Sequence, residues 1–493
     1  MVLTTTELEK YADVLLWGLS TARKTKFRKG DIILIQYEHS ALPLAEVLFR
    51  KIVGMGIHPV QRMGLTFGME QGFFEKADDK QLIFIPPGEK ELYGNVNGRI
   101  FLRAPESLTH LKDIDPVRIG KVLISRKSLK DILDKREEGG LYSWTLCTFP
   151  THELARQAKT TIKHYASQII KACYLDKEDP VQEWQAILKN VHGIKRWLNS
   201  LKIKTLHIQS KNIDLTITPG GERKWSGVSG HNIPSFELFF SPDWRGTEGT
   251  YYANLPSFRS GNYVKGVRLT FNKGVVIKIE AEEGQEFTTK QLAMDKGASR
   301  VGEFSLTDKR FSRIDRFMAD TLFDENFGGT HGNSHIAVGS SYTDSYTGNQ
   351  ADMTKALKEK LGFNDSALHW DLVNTEPKQV MANLASGKKL VIYEDGQFRV
   401  YPGFSIRISI CVRLCYPGDL CRTLHPAKRG WASPSCSLCS QHRFSTNTFI
   451  TPSGDLLSRE PSGLSLMQNK KPPCLSTACL RITRRHSLMT YLK

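Results

Sequence analysis

Leu8, Tyr11, Val14, Leu15 and Leu19 recur at helical spacing behind Thr4-Thr5-Thr6-Glu7, a run that resembles a capped helix start. The pattern then shortens. Asp31-Ile32-Ile33-Leu34-Ile35-Gln36-Tyr37 predicts a buried strand, residues 42–53 an amphipathic helix, and residues 58–63 another short strand. The same rhythm predicts strands at 81–86 and 121–125, and a helix over 180–201 closes the segment. Strands and helices in alternation predict an open α/β domain over residues 1–200. No Gly-rich phosphate fingerprint follows its first strand, so this domain reads as scaffold and substrate wall.

From about residue 203 the texture changes to paired strands. Residues 204–209 and 213–218 form one predicted pair, and 264–272 with 275–281 form a hairpin turned at Lys273-Gly274. His369-Trp370-Asp371 lies in an alternating stretch, which places His369 and Asp371 on one face and Trp370 on the other. A mixed α+β, strand-rich domain over 201–402 is expected, giving an α/β chain overall with the boundary near residue 200.

Periodicity fades after about residue 403. The last 93 residues carry 13 Lys/Arg against 3 Asp/Glu, so +10 of the +17 net charge sits there and the remaining +7 is spread thinly. A diffuse surplus of that size is a solvated surface rather than a nucleic-acid footprint. Cysteine divides in the same way: Cys147 and Cys173 stand alone in the body, and Cys411, Cys415, Cys421, Cys436, Cys439, Cys474 and Cys479 crowd the tail. Isolated body thiols fit a reducing compartment. The preferred reading of 403–493 is an out-of-frame or otherwise non-native extension. The alternatives are a disordered natural extension and a zinc module built on Cys436 and Cys439 with Cys411, Cys415, Cys421, His425 or His442. A single Cys-x-x-Cys is a weak zinc signal.

The 493 residues provide ample core, and their composition is that of an ordinary globular chain. No run of eighteen apolar residues and no leader pattern at Met1 is visible, so no membrane partner is expected and the cytoplasm is the default location.

Chemistry concentrates between residues 237 and 371. Glu237 follows Ile233-Pro234-Ser235-Phe236, Glu303 follows Val301-Gly302, and Asp324-Glu325-Asn326 precedes Gly332-Asn333-Ser334-His335-Ile336-Ala337. Carboxylates among apolar neighbours need a cation or hydrogen-bond donors. Imidazoles nearby make that cation a metal. Glu237, Glu303, Glu325, His335, His369 and Asp371 are six potential ligands, more than one zinc takes, which favours two metals sharing a bridging carboxylate.

The order and context of these residues closely resemble the thermophilic aminopeptidases of the aminopeptidase T and aminopeptidase S type. The resemblance runs over residues 1–402. It implies a dinuclear metallo-exopeptidase acting on peptides with a free N-terminus, with the six residues above as ligands, Glu303 as the bridge and Tyr342, seven residues after His335, in the active site. It further implies two divalent ions (zinc, cobalt, manganese or magnesium), a water activated between them, an oxyanion donor in Tyr342, and a homodimer. Two departures stand out. Glu325 lies ten residues before His335 where the family has five, with Phe327-Gly328-Gly329-Thr330-His331 as the extra stretch, which makes His331 a rival ligand; and Phe236 replaces a glycine before the first glutamate. Asp344 and Glu248 read as solvated loop residues. The alternative functions are a fold-retaining binding protein without turnover and a nucleic-acid binder acting through the basic tail.

Overall fold

The computed structural model describes residues 2–400 and two short strands, Ser409–Ile410 and Leu480–Arg481. Residues Met1–Phe404 form one compact unit. The two short strands pair antiparallel in a separate unit, Ser405–Lys493. The expected tail features, including Cys436, Cys439 and the other five tail cysteines, lie outside the described residues.

The chain opens with the helix Thr5–Ala22, whose capping box joins Thr4 and Glu7 and whose inner face buries Leu8, Tyr11, Val14, Leu15 and Leu19. Beside it stands a parallel sheet ordered His58–Met63, Ile32–Tyr37, Gly98–Arg103, Ser143–Thr148 and Asn232–Ile233. Its last strand comes from beyond residue 200.

Two predicted strands are corrected. Residues 121–125 lie inside the helix Pro116–Glu138, which starts at the Asp115 cap with proline at its first position. Residues 81–86 are the end of the one-turn helix Asp79–Leu82 and a loop. There Ile83 and Phe84 are exposed, so no sheet was available to bury that apolar run. Short apolar runs do not distinguish strand from helix by themselves. The strands that take those places in the sheet are Gly98–Arg103 and Ser143–Thr148.

After the helix Pro180–Ser200 the strands, Asn232–Ile233 apart, become antiparallel. An eight-stranded sheet runs in the order Val275–Glu280, Val267–Asn272, Glu248–Ala253, Asp214–Ile217, Ile203–Gln209, Gln379–Leu384, Lys389–Glu394 and Gln397–Phe398. It contains both expected pairs, and the hairpin turns at Lys273 and Gly274, both at positive φ. A second sheet is ordered His369–Asn374, Asn333–Gly339, Val301–Thr307 and Glu237–Phe240. Its inner face buries Leu238, Phe240, Phe304, Leu306, Ile336, Val338, Trp370 and Leu372. Tyr251 ties the two sheets together, its hydroxyl donating to the Ser334 and Leu372 carbonyls at 2.9 Å each.

Candidate metal centre

The other face of the four-stranded sheet carries the chemistry. Side chains alternate along a strand, so Glu303, Ser305 and Thr307 share a face, as do His335 and Ala337, and His369 and Asp371. Cross-strand register then aligns Glu303, Ala337 and Asp371 in one row, Phe239, Ser305 and His335 in the next, and Glu237 with Thr307 in a third. Five of the predicted ligands therefore project from one surface. The small side chains of Ser305 and Ala337 leave room between them.

The register of Glu303 depends on a bulge between Val301 and Glu303. A Cβ on Gly302 would lie 2.4 Å from the Ser340 carbonyl oxygen, so only glycine lets the bulged strand pass. Gly227 plays a similar part on the facing loop: its φ is +124°, and a Cβ there would meet the Glu237 carbonyl oxygen at 2.1 Å.

His335 is the hub. Its Nε2 lies 3.1 Å from Glu237 Oε2, 3.2 Å from Glu303 Oε1 and 3.9 Å from Asp371 Oδ1. Glu237, Glu303 and His335 offer ligand atoms all within 4.8 Å of one another, and all three residues are buried. His369 Nε2 stands 3.3 Å from Asp371 Oδ1, and its Nδ1 is 2.8 Å from the Ser340 carbonyl, which fixes the ring and turns Nε2 inward. Ser305 donates to Glu237 Oε2 at 2.7 Å.

Glu325 arrives from the opposite side, at the end of the short helix Thr321–Asp324. Its neighbours in the Asp-Glu-Asn run explain how. Asp324 accepts the Met318 and Asp320 backbone N–H groups at 2.7 and 3.0 Å, and Asn326 accepts the Phe236 N–H at 2.6 Å while donating to the Leu322 carbonyl at 3.0 Å. Those two side chains pin the loop, and Glu325 is left facing the cavity with Asn232 donating to it at 3.1 Å. Phe236, standing where the family has glycine, stacks on Trp184 at 5.3 Å between ring centres. His331 sits on the extra stretch and does not line the cavity.

Glu237, Glu303, Glu325, His369 and Asp371 line a cavity of about 190 Å³. Tyr342 joins it, its ring 4.7 Å from that of His369 and its backbone N–H donating to Ser241 Oγ at 2.8 Å. Asp344, read from the sequence as a solvated loop residue, also lines it, whereas Glu248 accepts a turn N–H from Lys273 at the surface. Asn232 and Ser305 carry no motif signal of their own and emerge only from the geometry.

The charges do not balance among themselves. Burial pushes Glu237 up to about 7, with His335 opposing and Glu303 and Asp371 adding to the rise. Burial and then the charges of Asp371, Glu237 and Glu303 push Glu325 well above the carboxylate range. Burial opposes protonation of His335, but Glu237, Glu303 and Asp371 raise it to about 9. His369 is raised by Asp371 against its burial, and Asp371 is held at about 2 by His369, His335 and Arg259, again against burial. Four buried carboxylates face two imidazoles, so the cluster holds protons or takes cations. His335 Nδ1 has no hydrogen-bond partner, and the donor set of carboxylate oxygens and imidazole nitrogens is the one divalent metals prefer. The residues fit a metal.

A buried carboxylate–imidazole cluster on a sheet face, opening into a cavity, is the arrangement of a metal-dependent enzyme. The chain belongs to the thermophilic metalloprotease family (M29), which it matches over residues 4–398. It is similar to aminopeptidase T of Thermus aquaticus, with 27% identity over 58% of this chain and 73% of that protein. It also resembles aminopeptidase PepS of Streptococcus thermophilus, at 26% over 79% and 97% respectively. The solved structure of wild-type AmpT from Thermus thermophilus shares the fold, with a TM-score of 0.65 at 21% identity over 80% of this chain and 99% of that one. The resemblance read from the motifs holds, and with it the α/β class; the chain is a metalloprotease of that family. No helix among the described residues is long and apolar enough to cross a membrane.

Proposed function

We propose that this metalloprotease is an aminopeptidase that removes N-terminal residues from peptides, with Glu237, Glu303, Glu325, His335, His369 and Asp371 holding two divalent ions. The observation that carries the reading is the shared sheet face: Glu237, Glu303 and Asp371 lie within 3.9 Å of His335 Nε2, His369 pairs with Asp371 beside them, and Glu325 closes the cavity opposite them. Zinc, cobalt, manganese and magnesium all suit such a set. A cytoplasmic homodimer is the setting the family resemblance favours.

Bound divalent ions would supply Lewis-acid polarisation of the scissile carbonyl and a water of lowered pKa. The chain's own residues do the rest. Glu303 faces His335 from the central strand and would hold the ions from there, in the bridging role the family resemblance implies. Tyr342, pushed well above its ordinary range by burial and by the charges of Glu303, Asp371 and Glu325, remains a phenol at neutral pH and donates a hydrogen bond to the developing oxyanion. A carboxylate outside that ligand set, such as Asp344 on the cavity wall, would receive the substrate's free α-amine and so limit cleavage to the first residue. The walls from the N-terminal sheet, including Trp144 and Leu146, exclude water.

Purified protein stripped by a chelator should lose hydrolysis of free-amine peptides and regain it with added divalent metal, while N-acetylated peptides stay intact. Full activity after complete metal removal, or cleavage of the acetylated peptides at a similar rate, would overturn the reading.

A further inference from the structure

We infer that Arg103 docks a carboxylate of the peptide substrate, an inference that rests on the aminopeptidase reading. Arg103 ends the strand Gly98–Arg103 at the carboxyl edge of the parallel sheet, where open α/β sheets bind their ligands. Its side chain shares a sheet face with Phe101 and, on the neighbouring strand, Trp144 and Leu146. Arg103, Trp144 and Leu146 line the same cavity as Glu237 and Glu325. The guanidinium thus faces the carboxylates of the chamber as its one arginine among the described residues.

Asp320 holds the guanidinium by an ion pair at Nε, 3.4 Å from Oδ2 and without hydrogen-bond geometry, which leaves the two terminal nitrogens for a ligand. Two other half-buried arginines are tied down by backbone: Arg118 donates to the Phe74 carbonyl at 2.9 Å, and Arg136 donates to the carbonyls of Gly94 and Val96 at 2.6 and 2.9 Å. The side chain of Arg103 keeps 32% of its surface open, whereas that of Asp320 has none.

The two acids facing Arg103 orient it rather than occupy it. Asp320 is fixed by Thr148, whose hydroxyl donates to Oδ1 at 3.0 Å, and its nearest approach to the guanidinium is at Nε. Glu38 spends one oxygen on the Ala104 N–H at 2.6 Å. An arginine held at Nε presents its two terminal nitrogens as a planar fork, the geometry that grips a carboxylate through two parallel hydrogen bonds. A peptide can bring that carboxylate in two ways, as the C-terminus of a short substrate or as an acidic first side chain. The small cavity, below the roughly 300–1,000 Å³ of most ligand pockets, keeps both within reach.

The test compares kcat/KM on two matched pairs with metal-loaded full-length protein: Leu-Gly against Leu-glycinamide, and Glu-p-nitroanilide against Gln-p-nitroanilide. Wild type should favour the charged member of one pair, which identifies the source of the carboxylate. Arg103→Met should collapse that ratio by about 10- to 100-fold, chiefly through KM, with metal content retained. Arg103→Lys, which keeps the charge without the fork, should recover part of it, and it carries the test if the methionine variant fails to fold. Ratios near one in both pairs for wild type, or an equal loss on charged and neutral members in the variants, would overturn the inference. If wild type hydrolyses none of the substrates, the aminopeptidase reading fails separately. Calorimetric binding of Leu-Gly against Leu-glycinamide then decides for Arg103: a preference lost in Arg103→Met supports its role, and equal binding refutes it.

Discussion

Replacing Ser305 with alanine removes one oxygen atom from the floor of the site and leaves every candidate ligand in place. The hydroxyl is fully buried and donates to Glu237 Oε2 at 2.7 Å, the same oxygen that lies 3.1 Å from His335 Nε2. A hydrogen bond to a charged acceptor contributes about 1.5–3 kcal/mol. Partners that orient a metal-binding side chain typically change metal affinity by about 10- to 100-fold when removed. The effect should depend on pH with a definite sign. The Ser305 bond lowers the affinity of Glu237 for a proton, so its loss lifts a carboxyl already at about 7 still higher. Metal binding needs the deprotonated carboxylate, so the proton competes increasingly as pH falls. The deficit of Ser305→Ala should be larger at pH 6 than at pH 8. The assay is a titration of chelator-stripped protein with one divalent metal, by calorimetry or against a coloured chelator, at both pH values, with thermal unfolding of the metal-free proteins alongside. Wild-type affinity in the variant, with only a lower melting temperature, would show that Ser305 packs the sheet without orienting Glu237.

Two further outcomes follow from the cavity. Tyr342→Phe should retain metal and fold while kcat falls by about 10²–10³, the usual cost of one oxyanion donor; a rate within a few-fold of wild type would remove Tyr342 from the chemistry. Glu325→Gln should weaken part of the metal content measured by atomic emission while His331→Ala leaves it unchanged, and the reverse result would move the ligand from the cavity wall to the inserted stretch.

Much of the fold was legible because its period was clean. The first helix carries its cap and an apolar face in consecutive residues, and the hairpin at Lys273-Gly274 combines alternation with a turn residue at positive φ. Failure came where local sequence and tertiary burial diverge. In Gly98–Arg103 the buried residues alternate with half-buried Arg99, Phe101 and Arg103, so the strand reads as a mixed segment, whereas Lys121-Val122-Leu123-Ile124-Ser125 reads as a strand although a helix with Asp115 and Pro116 at its start runs through it. A capping signal six residues upstream outweighed the apolar run. Nor does local sequence show that Asn232–Ile233 leaves the later segment to complete the parallel sheet.

The site divides along the same line. His369-Trp370-Asp371 could be placed on one face from alternation alone, and the register adds what alternation cannot: which strand lies beside it, and that Ala337 separates Asp371 from Glu303 in their row. The altered spacing before His335 shows why motif distance is a weaker guide than anchoring. Glu325 is positioned by Asp324 and Asn326, which grip backbone on the near side of the loop, and by Asn232 from another strand. None of these contacts passes through Phe327-Gly328-Gly329-Thr330-His331, so extra residues there lengthen the path to His335 without moving the carboxylate. Arg103 lay beyond any such reading. Its neighbours in sequence are ordinary, and only the meeting of the parallel sheet with the antiparallel one gives a lone guanidinium a chamber of carboxylates to face.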